Sequence, residues 1–227
     1  MSTIFYLQYL QMEHDRNFHN DIYSLRPHDK VKHLTLHVVK YMGKLAVTRT
    51  QDEEALKRIL TDSLIVCLSL ANTFNLRLND DYAQSEVVNM RPMARSLLTR
   101  YSLDKNLDEH SPLVGHTITS DMVELMGNAS KAIEALDHLE DYPYVKELKK
   151  FVREYFKILL IASEHFGISF IEKNYVARLL DIESKNIFAG QLQAGMRSWQ
   201  TPVIQKILKE GNLDSFLTME CLLQKSI

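Results

Sequence analysis

Hydrophobic residues recur at intervals of three and four along most of the chain, a spacing typical of amphipathic helices. The first clear helix follows Pro27, and its apolar side consists of Val31, Leu34, Val38, Met42 and Leu45. A polar break at 48–54 separates it from a second helix, which Thr50 or Asp52 is expected to cap. Residues 64–70 of this second helix are apolar nearly all round. A helix of that kind lies inside a bundle and not on its surface.

The same periodicity continues to about residue 186. A helix interrupted at Pro92 precedes a polar connection at 102–116, which is the longest connection predicted in the chain. Thr119 or Ser120 is expected to cap the next helix, and the long helix after it should end at Gly167. One helix precedes residue 28, and short helices are expected in the tail, 187–227. Because no segment alternates as a strand would, the sequence predicts a single all-α domain over 1–227.

The two halves of the chain resemble one another. Residues 33–48 align with 117–132, with Thr, Val and Met-Gly shared in register, and residues 56–78 align with 148–170. One helical hairpin cannot bury its own apolar face, whereas two related hairpins can do so as a four-helix bundle. The sequence therefore predicts a duplicated two-hairpin core, with a first repeat at 28–101 and a fainter second repeat at 117–183.

Composition excludes several classes of function. The 227 residues carry a net charge of −2, so no overall basic character indicates binding to nucleic acid. Two cysteines, Cys67 and Cys221, are too few for a disulfide framework and suit a reducing cytoplasm. No apolar run approaches the roughly 20 residues that span a bilayer. We therefore expect a cytoplasmic monomer or homodimer without a membrane or nucleic-acid partner.

One segment resembles a known family. The residues HLTLHVVKYMGKLA, followed by LTDSLIVCLSLANTFNLRL, are similar to the all-α nucleoside triphosphate pyrophosphohydrolases, the MazG-like group. The resemblance covers about 28–80 well and 117–180 faintly. It implies a four-helix bundle that uses Mg²⁺ to hydrolyse nucleoside triphosphates. In this family the carboxylates of an EExxE motif on one helix and an ExxD motif on the next hold the Mg²⁺.

This chain departs from both motifs. The first EExxE position reads Lys40-Tyr41-Met42-Gly43-Lys44, without any acid, and its ExxD position keeps only Asp62. In the second repeat, Glu124 and Glu154 are the acids that remain at the corresponding positions. On the resemblance, Asp62, Glu124 and Glu154 are the candidate Mg²⁺ ligands. Hydrolysis is expected to be slow or absent, because neither repeat retains a full set of carboxylates.

A basic stripe is the candidate phosphate site. His33, His37, Lys40 and Lys44 follow one another at spacings of four, three and four, so they share one side of a helix. They could grip the phosphates of a nucleotide, or pair across the bundle with acids aligned to them in the second repeat, Asp121 and Glu124. A zinc site on His33 and His37 is a weaker alternative, because no third ligand lies nearby in sequence.

The candidate metal ligands also have structural interpretations. Asp62 lies in a helix predicted to be buried, so it needs a partner, which could be Lys40, Lys44 or Tyr41. Glu154 is spaced to pair with Lys150 or Lys157 on its own helix.

Three functional hypotheses follow. The first is a MazG-like protein that binds a nucleotide or another phosphorylated small molecule, with hydrolysis weak or lost. The second is a non-enzymatic helical scaffold, in which the basic and acidic stripes pair. The third is an active Mg²⁺-dependent pyrophosphohydrolase with relocated ligands, such as Glu13, Asp15 and Asp21.

Overall fold

The computed structural model describes residues 3–82, 90–138, 140–169 and 171–185. Within these ranges the chain is helical and contains no strand, which confirms the all-α class. The helices are α1 (Thr3–Phe18), α2 (Asn20–Tyr23), α3 (Pro27–Val47), α4 (Glu53–Thr73), α5 (Met90–Asp104), α6 (Pro112–His138), α7 (Tyr144–His165) and α8 (Ile171–Ser184), with a 3₁₀ turn at Leu78–Asp81. No helix of the described part is long and apolar enough to cross a membrane.

Helices α3 and α4 form as their sequences predict. Pro27 occupies the first turn of α3, where its missing amide hydrogen costs nothing. Asp52 caps α4 by accepting a hydrogen bond from the Ala55 amide at 3.1 Å. All five predicted apolar residues of α3 are buried, and so are most of the residues predicted to lie inside α4. The apolar pattern therefore identified both the extent and the buried side of this hairpin.

Helix α6 begins earlier than predicted. Neither Thr119 nor Ser120 caps it, because the helix already starts at Pro112 and both residues lie inside it. The Ser111 hydroxyl accepts a hydrogen bond from the Leu113 amide at 3.2 Å, and proline suits a first helical turn. The connection between α5 and α6 is consequently shorter than the predicted 102–116. By contrast, Gly167 follows the end of α7 as expected, with φ at +71°.

Two long helices form the centre of the packing. Helix α4 packs against α3, α1 and α8, helix α7 packs against α6 and α5, and α4 and α7 contact each other. Helices α3 and α6 also meet, and an ion pair joins Lys32 near the start of α3 to Asp137 near the end of α6. These two helices therefore run antiparallel. The origin of the two hairpins by duplication stays a prediction, and the tail at 187–227 lies outside the described residues.

Candidate functional site

The basic stripe lies on one side of α3, as its spacing predicts. The rings of His33 and His37 are 4.7 Å apart, and the Lys40 ammonium lies 3.5 Å from Nδ1 of His37. Lys40 and Lys44 also approach the ring of Tyr41, at 4.4 and 5.8 Å from its centroid. Burial, together with repulsion from Lys40 and His33, lowers the pKa of His37. His37 therefore contributes little to the positive charge of the stripe at neutral pH.

Asp62 of α4 interacts with one residue of α3, Tyr41, and one residue of α8, Arg178. We call this group of three residues the α8 corner. Nε of Arg178 donates a hydrogen bond to Oδ1 of Asp62 at 2.8 Å. The Tyr41 hydroxyl also binds Asp62, and burial with this carboxylate beside it raises the pKa of Tyr41 to about 12. Tyr41 is one of the partners expected from the sequence, whereas Arg178 is not. The charge of Asp62 is thus already balanced within the chain.

Helices α5, α6 and α7 surround a cleft of about 430 Å³, the α5–α7 cleft. Its acidic residues are Asp104, Asp121, Glu124 and Glu154, and its basic residues are Arg100, Lys105 and Lys157. Leu97, Tyr101, Leu125, Ile158 and Ile161 supply the rest of the lining. Glu124 and Glu154, which the sequence singles out 30 positions apart, therefore line one cleft.

Some of the charged groups in the cleft are paired with each other. Asp121 accepts hydrogen bonds from the Tyr101 hydroxyl at 2.9 Å and from Nζ of Lys105 at 3.0 Å. Burial and this bond to Asp121 raise the pKa of Tyr101. Lys157 donates to Oε1 of Glu154 at 2.8 Å, as one sequence interpretation predicts. The predicted pairing of Asp121 with Lys40 or His37 is wrong, because α5 supplies the partners of Asp121 instead.

Three charged groups of the cleft remain available. Among the described residues, Arg100, Asp104 and Glu124 form no hydrogen bond or ion pair. Arg95, five residues before Arg100 on the same helix and outside the lining of the cleft, is by contrast paired with Glu109 and Glu164. Arg100 is suited to a negatively charged group of a ligand. Glu124 is suited to a metal ion or a hydrogen-bond donor that accompanies the same ligand.

The three candidate metal ligands do not meet in one place. Glu124 and Glu154 line the α5–α7 cleft, whereas Asp62 belongs to the α8 corner. Across the described ranges, no three His, Cys, Asp or Glu side chains lie close enough together to hold a metal ion. A zinc site on His33 and His37 therefore gains no third ligand there. Magnesium binding in the cleft would rest on two carboxylates and stays a prediction.

Helix α1 does not supply the relocated metal ligands of the third hypothesis. Asp15 is buried, and its carboxylate accepts hydrogen bonds from the Ser69 hydroxyl at 2.5 Å and from the Gln11 amide at 2.7 Å. Such bonds tie α1 to α4 and are those of a structural group. Glu13 and Asp21 do not join Asp15 in a metal-binding group.

Two buried acids were not found by sequence reasoning. Nδ1 of His14 lies 2.8 Å from Glu183, and both side chains are almost fully buried between α1 and α8. Glu172 is also buried, and neither of its carboxylate oxygens has a hydrogen-bond partner among the described residues. Burial raises the pKa of Glu172. No local pattern marks these residues, because their burial depends on how α8 packs against distant helices.

No protein-family model, curated protein or solved structure matches this chain.

Proposed function

We propose that this chain binds a phosphorylated small molecule, a nucleotide in the first instance, in the α5–α7 cleft. The observation that carries the proposal is the presence of uncommitted charges of both signs, Arg100 with Glu124 and Asp104, in one cleft of about 430 Å³. Small-molecule sites are typically concave, roughly 300–1,000 Å³ in volume and mostly apolar with a few convergent polar groups. The leucines and isoleucines of this lining meet the apolar requirement.

Each part of the cleft suits a different part of such a ligand. A guanidinium presents several donors in a fixed plane that matches phosphate oxygens, so Arg100 is the expected phosphate anchor. Lys105 and Lys157 add positive charge from the rim. Leu97, Leu125 and Ile158 offer an apolar surface for a base or another flat group. The proposal therefore moves the phosphate site from the stripe on α3 to the cleft, where a concave wall partly excludes water.

Glu124 and Glu154 are the residues that would hold Mg²⁺ in this proposal. Their oxygens fit a hard cation, and Mg²⁺ is commonly bound by one or two carboxylates together with substrate phosphates. Bound magnesium would neutralise phosphate charge and activate water. Of the three candidate metal ligands only Glu124 and Glu154 line the cleft, and Glu154 is paired with Lys157. We therefore propose a MazG-like protein in which binding is retained and pyrophosphate hydrolysis is slow or absent.

A non-enzymatic helical scaffold is the second candidate. It is favoured by the internal pairing of Asp62 with Arg178, of Asp121 with Lys105 and of Glu154 with Lys157. In a scaffold these pairs serve stability alone, and the cleft is a surface groove without a ligand. The two candidates differ in what they predict for Arg100, which contributes nothing to a scaffold and anchors the ligand in a binding protein.

Calorimetry tests the proposal. The full chain is titrated with a panel of nucleoside triphosphates, with and without Mg²⁺, and pyrophosphate release is assayed in the same samples. We expect binding that Arg100→Ala weakens at least about tenfold, because a phosphate contact of arginine is charge-assisted. Arg95→Ala is the matched control, since Arg95 lies on the same helix but pairs outside the cleft.

Three results separate the hypotheses. Loss of affinity in Arg100→Ala alone supports the cleft as the binding site. Equal affinity in both arginine variants contradicts that assignment, and no heat with any nucleotide leaves the scaffold as the better account. Rapid Mg²⁺-dependent release of pyrophosphate that Glu124→Gln abolishes would show that a full catalytic site survives.

A further inference from the structure

Helix α3 presents large apolar side chains to solvent on the side away from the core. Leu36, Val39 and Val47 are 68%, 45% and 82% exposed. On the adjacent helix α6, Val123 is 61% exposed. Single exposed apolar residues are ordinary, but contiguous ones mark a surface that another molecule covers.

Two glycines lie among these residues in the middle of their helices. Gly43 of α3 and Gly127 of α6 are exposed, and a Cβ atom built on either would meet nothing within 4 Å. Glycine inside a helix is unfavourable relative to alanine. Nothing within the described chain needs these positions to be small, so the space that they leave serves a close approach from outside.

The register of the two helices brings these residues together. We take the register of antiparallel α3 and α6 from the ion pair between Lys32 and Asp137, so that residue numbers at equal height add to about 169. On this register Gly43 lies at the height of Gly127, and Val47 lies at the height of Val123. We call this surface the α3–α6 face; it comprises Leu36, Val39, Gly43, Val47, Val123 and Gly127.

The two edges of the α3–α6 face differ in charge. Lys40 and Lys44 follow the outer edge of α3, and both are exposed. Glu124 follows the outer edge of α6 and is also exposed. One edge is thus basic and the other acidic at the level of the paired glycines. A surface with this distribution is complementary to a second copy that is turned over so that the basic edge of one copy faces the acidic edge of the other.

We propose that a second copy of this chain docks on the α3–α6 face about a two-fold axis that runs parallel to α3 and α6. Such an axis places α3 of one copy over α6 of the other. The position of each residue along the direction of the helices is unchanged by this rotation. Lys44 then lies opposite Glu124 of the second copy, and Gly43 lies opposite Gly127 of the second copy. The result is an isologous interface with an apolar, closely packed centre and charged edges.

Sedimentation equilibrium of the full chain tests this interface, without added ligand because Glu124 also lines the α5–α7 cleft. We expect a reversible dimer that Val39→Asp weakens at least about tenfold, since a charge buried at an apolar centre is left unpaired. Val145→Asp is the matched control, because Val145 is 47% exposed on α7 and lies outside the face. Circular dichroism checks that both variants remain helical.

A charge exchange tests the orientation. Lys44→Glu should weaken the dimer by placing two acids together, and adding Glu124→Lys to the same chain should restore it. Failure of the second substitution to restore association overturns the proposed axis. A wild-type chain that stays monomeric overturns the interface. So does equal weakening by Val39→Asp and Val145→Asp, or a dimer that Val39→Asp leaves intact.

Protection from hydrogen exchange identifies the alternative occupant. If the wild type sediments as a monomer and its α3 still exchanges more slowly than α3 of Val39→Asp, the face is covered by other residues of the same chain, and the second copy is wrong. If protection of α3 rises with protein concentration in the wild type and not in Val39→Asp, the second copy is the occupant.

Discussion

The α8 corner and the α5–α7 cleft contain similar groups in different states. In the corner, Asp62 is bound by Arg178 and Tyr41, so a carboxylate, a guanidinium and a phenol satisfy one another. In the cleft, Tyr101 and Lys105 bind Asp121, but Arg100 and Glu124 remain uncommitted among the described residues. A closed set of charges stabilises a fold, whereas an open set can bind. The comparison favours the cleft over the corner as the proposed binding site.

The difference follows from which residues occupy aligned positions. Where α6 carries Asp121 and Glu124, the aligned positions of α3 carry His37 and Lys40. Cations on α3 repel a metal ion and leave Asp62 to pair with Arg178 from α8. Acids on α6 instead leave the cleft with negative charge that the three basic residues around it only partly neutralise. Under the duplication hypothesis, these two positions are among those at which the two halves diverged.

The largest expected effect comes from opening the α8 corner. Arg178→Ala should lower the free energy of unfolding by about 2 kcal/mol, because it leaves a largely buried Asp62 without its cation. Lys105→Ala is the comparison variant and should cost less than about 1 kcal/mol, since the pair with Asp121 is more exposed. Urea denaturation of both variants measures the difference. Equal losses would contradict the distinction between a closed corner and an open cleft.

A third carboxylate sharpens the comparison, because Glu172 is buried without the partner that Asp62 has. Glu172→Gln should raise the free energy of unfolding by about 1 kcal/mol near pH 8, where an unpaired buried charge is most costly. The pKa of Glu172 is raised above 4.5 in the folded state. Its contribution to stability is therefore fully present below pH 4.5 and is lost as the pH rises through the folded pKa.

Denaturation at several pH values checks this prediction. The gain in Glu172→Gln should grow as the pH rises from 4 to 8. A gain that is independent of pH would mean that the pKa of Glu172 is the same in the folded and unfolded states. A loss of stability at pH 8 would mean that an ionised Glu172 has a favourable partner.

The smallest effect distinguishes the two lysines of the stripe. Lys40 repels the charged form of His37, so Lys40→Ala should raise the pKa of His37 toward 6.5, as followed by NMR of the imidazole protons. Lys44→Ala should leave that pKa unchanged, because Lys44 does not act on His37. Since the folded pKa is lowered, the stability that neutral His37 contributes is present above pH 6.5 and is lost as the pH falls through the folded value. If the pKa of His37 is unchanged in Lys40→Ala, the charge of Lys40 does not act on His37, and this prediction is wrong.

Sequence patterns predicted the parts of the molecule that depend on neighbours along the chain. The apolar spacing of α3 and the Asp52 cap of α4 are examples, because both are set within a few residues. The start of α6 was missed, since Gly115 and the polar residues around it are typical of a connection, yet here they continue a helix from Pro112. A proline suited to a first turn was the available signal.

Contacts between distant helices set the limits of what sequence could predict about the candidate site. Glu124 and Glu154 were identified from the family resemblance, and the structure places both in one cleft. Arg178 lies 116 residues from Asp62, and no local spacing links them. Arg100 was one of several arginines on an amphipathic helix, and only the packing of α5 against α7 separates it from Arg95. The sequence identified which charged residues were candidates for the site, but it could not predict which of them pair with one another.

Mapping the bound nucleotide by NMR tests the central claim most directly. Amide resonances of the full chain are recorded while a nucleoside triphosphate and Mg²⁺ are added. The account predicts shifts concentrated at Arg100, Tyr101 and Glu124, around the α5–α7 cleft, with little change at His37 and Lys40. Shifts concentrated on the α3 stripe with an unperturbed cleft would contradict it.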